Sequence, residues 1–393
     1  MDLISSLNHS IKTAMKSDFY NKRIQQVKDM NSFRALPVTN KQDLLKLLPS
    51  EMITVNHEDL FEYHETSGSA DIPLSTWFTE NDFQAYVDQI SECSIEFNEA
   101  DIVLIRFPYA LSVPAHTFTR TVQSHKGCVI HAGRSDNNCP PIRVIDLLTK
   151  AKATIMCCNV QEAFIIGELC KRKEINFKNN FSLRALCVAG ELFTPSRKRR
   201  LEDLWGVKVY NFYGTTETGN IASTNEVGEL IIPSNHFYCE VLNPDTLEVL
   251  PFGEKGILHI TNLSKECFPL IRFNTGDIVK ILRDKNKESL IHYGRYSDRI
   301  IIKDKQITFR EFQEEFLSLP ENIIGNIWKV EVKDEKAIIV AESREVDHKT
   351  HKSITLNLPV PYEIQFVPEG TIIDMDSLNN WKCKSKPQYI YHS

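Results

Sequence analysis

Residues 153–217 read ATIMCCNVQEAFIIGELCKRKEINFKNNFSLRALCVAGELFTPSRKRRLEDLWGVKVYNFYGTTE. Apolar, strand-like runs at Thr154–Cys157, Leu183–Val188 and Val207–Phe212 alternate with stretches of helical period at 160–173 and 195–205. Strand and helix alternating at this spacing predict parallel βαβ units, whose ligand loops lie at the carboxyl ends of the strands. Working back toward the amino terminus, the same rhythm holds over Ile102–Phe107, 112–126, Cys128–His131 and 142–151. Residues 1 to 60 read instead as helices joined by an extended Leu36-Pro37-Val38-Thr39 link, with Thr39 or Asn40 capping a helix that starts at Lys41.

Beyond Glu217 the period changes. GELIIP, FYCEVL, GILHITNL and PLIRF are strand-like and separated by Asn-Pro-Asp and Pro-Phe-Gly-Glu-Lys-Gly turns, which predicts an antiparallel β subdomain. Past Arg295 come RIIIKDKQITF, a helix over 309–318, then WKVEVKD, KAIIVAES, SITLNLPV and EIQFVPEG. The expected fold is therefore α/β. A large amino-terminal domain, residues 1–294, combines parallel βαβ units with the antiparallel subdomain, and a small α+β domain, 295–393, follows.

Composition narrows the function. Forty-six Lys and Arg against 52 Asp and Glu leave 393 residues with a formal charge of −6 and no basic block, which speaks against nucleic-acid binding. No apolar run approaches the roughly 18 residues that span a bilayer, and the first residues lack the pattern of a signal peptide, so a cytoplasmic location without membrane partners is expected. The ten cysteines include no CxxC pair, and several lie in apolar runs, as in ATIMCCNV. They read as buried, reduced, hydrophobe-like thiols rather than zinc ligands.

Four short segments carry polar chemistry. Thr66-Ser67-Gly68-Ser69 offers hydroxyl and backbone donors of the kind that cradle phosphate. Asn211-Phe212-Tyr213-Gly214-Thr215-Thr216-Glu217 sets a carboxylate beside two hydroxyls at a strand end, a pattern suited to Mg²⁺ shared with phosphate oxygens. Arg272-Phe273-Asn274-Thr275-Gly276-Asp277 places an aspartate beyond a tight turn, where it would accept two ribose hydroxyls. Gly294-Arg295-Tyr296-Ser297-Asp298 puts an arginine at the change of composition. Each segment alone also reads as an ordinary polar loop.

Taken in order and at this spacing, the set resembles the adenylate-forming superfamily, most closely its phenylacetate–CoA ligase branch. FYNKR…LPVTNKQDLL, Val188-Ala189-Gly190-Glu191, Tyr213–Glu217 and the stretch from EVLNPDTLEVL to FNTGD carry the resemblance over nearly the whole chain. It implies that Thr66, Ser67, Gly68 and Ser69 form the phosphate loop and that Gly190, Glu191, Asn211, Phe212 and Tyr213 line adenine, with Gly214 and Thr215 completing the nucleotide loop. Thr216 would touch the α-phosphate, Glu217 hold Mg²⁺, Asp277 take the ribose hydroxyls and Arg295 the ribose or phosphate side. Lys386, or else Lys384, would be the lysine that a mobile small domain brings to the reacting carboxylate. Tyr109, His116, Ala189 and Gly214 would face the acid, although a lone histidine on a helix is commonly structural.

The implied reaction activates a small carboxylic acid with ATP and Mg²⁺ as an acyl-adenylate. The acyl group then passes to coenzyme A or to the phosphopantetheine thiol of a separate carrier protein. A stand-alone carrier-loading enzyme and a non-catalytic nucleotide-binding relative are the alternatives. Three departures bear on them: Asp71 and Asp304 where the family has glycine, and an acid displaced to Asp298. There is no cysteine between Gly219 and Phe237, so no zinc is expected.

Overall fold

The computed structural model describes residues 2–66, 73–134, 138–233, 235–285, 287–321, 323–343, 354–373 and 388–392. The chain folds as two compact units, Met1–Asp101 with Phe107–Val129 and Tyr210–His292, and Ile102–Arg106 with Ile130–Val209 and Tyr293–Ser393.

In the second unit, strands Ile102–Ile105, Ile155–Asn159 and Ala185–Ala189 pair in parallel, with Leu104 opposite Met156 and Cys157 opposite Cys187. Ile155–Asn159 and Ala185–Ala189 are buried at every position, which is why they read as unbroken apolar runs rather than as alternation. Helices Pro141–Lys150, Val160–Arg172 and Pro195–Trp205 supply Leu148, Phe164, Ile165, Leu201 and Trp205 to the core formed with Leu104, Met156, Cys158, Leu186 and Val188. The βαβ units expected from 101 to 212 are thus present within a few residues of their sequence-based limits.

The same unit holds the chain beyond Tyr293. Strands Ile300–Ile302 and Lys305–Ile307 form a hairpin. Strands Trp328–Lys333, Lys336–Ser343, Tyr362–Pro368 and Ile390–His392 form a mixed sheet under helix Phe309–Leu317. Phe312, Phe316, Ile324, Trp328 and Ile339 make this a separate apolar core. SITLNLPV departs from its expected strand: the described residues 354–360 carry none. Leu356 and Val360 are buried in alternation, yet Pro359 and Pro361 have no N–H to give a ladder. Leu356 N–H instead donates to the Tyr362 hydroxyl at 2.7 Å and Asn357 N–H to Glu315 Oε1 at 2.6 Å.

The first unit is antiparallel, as expected after Glu217. Phe237–Leu242 pairs with Gly256–Asn262, which pairs with the long strand Phe273–Asp284. PLIRF contributes only Phe273 to that strand. Its Leu270 and Ile271 are fully buried against Leu7, Ile11 and Phe33 of the amino-terminal helices and Tyr20 of the turn between them. Arg272 has φ 49° and its guanidinium donates to Arg34 O, Leu36 O and Glu240 Oε2, while its carbonyl accepts from Thr39 N–H at 3.1 Å, so side-chain bonds and one short bridge fix this segment in place of a regular ladder. No helix among the described residues is long and apolar enough to cross a membrane.

Candidate active site

Strand Lys208–Thr215, which belongs to the first unit from Tyr210 on, turns back into Gly219–Thr224, with Phe212 opposite Ser223 and Thr215 opposite Gly219. Gly214 is required by close approach: a Cβ there would stand 2.2 Å from the Gly219 carbonyl oxygen. Asn211 N–H donates to Thr224 Oγ1 at 2.8 Å, and Phe212 packs edge-on against Phe118. Gly214 is exposed, Thr215 and Thr216 are half-buried, and Glu217 is buried. The turn therefore presents its hydroxyls while holding its carboxylate inward.

Asp277 sits behind a turn tied by Gly276 N–H to Asn274 Oδ1 (2.9 Å) and Asp277 N–H to Thr275 Oγ1 (3.1 Å). Tyr213 and Asp277, assigned from separate segments, meet here: the Tyr213 hydroxyl donates to Asp277 Oδ2 at 2.6 Å. His292 lies 3.5 Å from Oδ1, and its ring is 4.7 Å from that of Tyr213. Lys41 Nζ stands 3.7 Å from Glu217 Oε1. The sequence reading did not single out Lys41, His292, or the buried Lys265 and Tyr86 beneath the turn. Lys265 lies in the SKECFPL stretch already linked to the family, but between Ser264 and Glu266 nothing in the sequence marked it as buried.

Thr66 closes the base of its loop on Leu74, with its N–H donating to Leu74 O and its Oγ1 accepting from Leu74 N–H, both at 2.9 Å. Ser67, Gly68, Ser69 and Asp71 lie outside the described residues, as do Lys384 and Lys386. Tyr109 and His116 are bound to one another's surroundings: His116 Nε2 donates to the Tyr109 carbonyl (2.8 Å), and the Tyr109 hydroxyl meets Thr119 Oγ1 (3.0 Å). The His116 ring lies 5.2 Å from that of His64, which bonds Glu62 at 2.8 Å. Burial pushes the Glu62 carboxyl up, but His64 and Arg120 hold it below the usual range.

In the second unit, Gly190 takes φ 85° just after its strand, and a Cβ there would stand 2.7 Å from Asn159 Nδ2, so glycine is needed. Asn159 Nδ2 donates to the Ala189 carbonyl at 3.1 Å. The Glu191 carboxylate accepts from Gln161 N–H (2.9 Å), Arg197 (3.1 Å) and the Tyr389 hydroxyl (2.6 Å). Burial opposes the charge of Arg197, yet Tyr389 and Glu191 hold its pKa above the ordinary value. Arg295 is exposed at the end of strand Lys287–Arg295. In the turn between Ile302 and Lys305, Lys303 carries the positive φ of 56° and Asp304 does not, so the aspartate there meets no glycine-only geometry.

No group of three or more His, Cys, Asp or Glu among the described residues is arranged to hold a metal. The Glu217 carboxylate is of the chemistry Mg²⁺ takes, one or two carboxylates plus substrate phosphates, and in this structure it faces Lys41 Nζ at 3.7 Å.

An aspartate fixed beside an aromatic ring and a hydroxyl–carboxylate turn accompany what the chain's likeness to known proteins makes it, an enzyme of the acyl-adenylate-forming, acid–thiol ligase class. The profile of the family described as AMP-binding enzyme matches residues 66–264. The phenylacetate-coenzyme A ligase of Thermus thermophilus is 23% identical over 403 aligned positions, covering 90% of this chain and 88% of that protein. The phenylacetate-coenzyme A ligase of Escherichia coli is 24% identical, covering 88% and 83%. Among solved structures, 2-hydroxyisobutyryl-CoA ligase in its postadenylation state with 2-HIB-AMP superposes with a TM-score of 0.84 at 18% identity, covering 99% of this chain and 88% of that one. The chain belongs to the AMP-binding enzyme family, in its phenylacetate–CoA ligase-like branch.

Proposed function

We propose that this enzyme uses ATP and Mg²⁺ to activate a small carboxylic acid as its acyl-adenylate and then transfers the acyl group to the thiol of coenzyme A. The observation that carries the reading is the Tyr213–Asp277 pair, which fixes a carboxylate beside an aromatic ring next to the Thr216–Glu217 turn. Asp277, which accepts from the Tyr213 hydroxyl and faces His292, is proposed to take the two hydroxyls of a ribose. The Thr216 hydroxyl would donate to an α-phosphate oxygen, with Arg295 adding positive charge on the ribose or phosphate side. Glu217 would hold the magnesium ion, which when bound neutralises charge on the phosphate oxygens.

A carboxylate oxygen of the acid bonds to the α-phosphorus while the bond to pyrophosphate breaks. The thiolate then bonds to the acyl carbon and AMP leaves with the electron pair. Because no covalent enzyme intermediate is needed, the protein contributes positioning and charge complementarity. Gly190 and Glu191 are proposed to meet adenine through their main chain, since the Glu191 carboxylate is engaged by protein groups. Ser67–Ser69 are proposed as the phosphate loop, Lys386 with Lys384 as alternative as the mobile lysine, and Tyr109 and His116 as the frame of the acid site.

A large domain to about 294 and a small, mobile domain after it are also proposed; the ties of Arg200 and Ser196 to the carboxyl-terminal segment would have to open for such movement. A cytoplasmic location is proposed with it. Loading of a separate carrier protein is the second reading for the acceptor. Carboxylate-dependent ATP–pyrophosphate exchange with a pool of aryl, aliphatic and amino acids tests the first half-reaction. Glu217→Ala and Asp277→Ala should each lower exchange by at least about 100-fold, whereas Cys239→Ser should leave it intact. Near-normal exchange in either acidic variant would remove the site assignment.

A further inference from the structure

Lys265 is 6% exposed, yet it carries an ammonium group in apolar surroundings. Its Nζ lies 4.5 Å from the centre of the Phe78 ring, 5.5 Å from Tyr86 and 5.8 Å from Phe268. Burial pushes its pKa down, while Asp82 and the other acidic groups around it act in the opposite direction. A buried ammonium is a costly way to fill space, since an apolar chain of the same length often serves stability equally well. What the ammonium adds is hydrogen bonding. It donates to the Glu217 carbonyl at 3.0 Å, and Thr76 Oγ1 and the Tyr86 hydroxyl lie at 3.3 and 3.4 Å. The Tyr86 hydroxyl in turn reaches the Thr216 carbonyl at 3.5 Å. Helix Glu80–Ser91 grips the far side of the turn as well, with Gln89 accepting from Asn220 N–H at 2.9 Å.

We propose that Lys265, assisted by Tyr86, is a positioning residue: it holds the main chain of Thr216 and Glu217 from behind, so that their side chains are set for phosphate and magnesium. This rests on the assignment of Thr216 and Glu217 made above. Asp82 does not depend on the lysine for partners, because it accepts from Thr79, Glu266 and Cys267 N–H at 3.0, 2.6 and 3.0 Å. Replacing Lys265 by methionine therefore keeps the stem and removes the ammonium without orphaning a carboxylate.

The test is calorimetric titration of the full chain with Mg·ATP and, separately, with adenosine. Lys265→Met is expected to weaken Mg·ATP by about 10-fold and leave adenosine within about 2-fold. Tyr86→Phe keeps the ring and should weaken Mg·ATP by about 3-fold. If Lys265→Met fails to fold, Tyr86→Phe decides by the same comparison. Unchanged Mg·ATP affinity in the folded variants, or parallel losses for both ligands with a lowered Tm, overturns the positioning role. Wild-type protein that binds adenosine but not Mg·ATP would instead bring down the phosphate-site assignment, and this role with it.

Discussion

His259 lies on the strand Gly256–Asn262 with 1% of its surface exposed, its Nδ1 3.2 Å from the Ile257 carbonyl. Burial pushes its pKa down from 6.5 to about 4. The folded chain thus keeps this ring neutral, while the unfolded chain takes up a proton as pH falls through 6.5. The contribution to stability is full above pH 6.5 and declines down to about pH 4, by about 3 kcal/mol at most. His259→Leu should flatten the loss of stability over that window, as measured by urea unfolding at a series of pH values. An unchanged slope would mean that the ring is not buried neutral. None of this was readable in GILHITNL, where the histidine falls inside an apolar run without any sign of which face it occupies. The Tyr213–Asp277 contact differs, because both residues stood in segments whose chemistry was already visible.

At the scale of elements, the hairpin that carries the Thr-Thr-Glu turn depends on one missing side chain. Gly214→Ala must push Gly219 away or tilt the strand, and should cost about 1–3 kcal/mol in urea unfolding while impairing nucleotide binding more than overall stability. Wild-type binding in that variant would show that the turn tolerates another geometry. Strand and helix limits in the parallel region were legible because full burial gives continuous apolar runs of strand length between helices of clear period. SITLNLPV misled for the converse reason. Its residues alternate in burial as a strand's would, but two prolines and side-chain acceptors take its backbone out of any sheet. PLIRF misled similarly, since its apolar residues fill a core from a loop that Arg272 anchors.

For the whole molecule, the second unit joins chain segments far apart in sequence through specific polar ties. Arg200 donates to the carbonyls of Leu319 (2.6 Å) and Ile324 (3.1 Å), and Ser196 N–H and Oγ donate to Glu314 at 2.9 and 3.1 Å. Arg200→Ala would leave carbonyls without their donor and should destabilise by about 2–3 kcal/mol, read as a lower urea midpoint. An unmoved midpoint would mean that water replaces the guanidinium freely. Such ties were invisible beforehand: the amphipathic period of helix Pro195–Trp205 predicts an element, and nothing in RKRR says that Arg197 and Arg200 are the buried ones.

Eight of the nine described cysteines are buried, and only Cys128 is exposed. Burial pushes the thiols of Cys170 and Cys267 up to about 12. They cannot be alkylated until the surrounding structure opens. Cys139, Cys157, Cys158, Cys170 and Cys187 lie in one unit and Cys93, Cys239 and Cys267 in the other. The enzyme thus carries its own set of clocks. Pulsed thiol labelling read by mass spectrometry should time the opening of each unit separately, with Cys128 marking the start, and show which of the two a bound nucleotide slows.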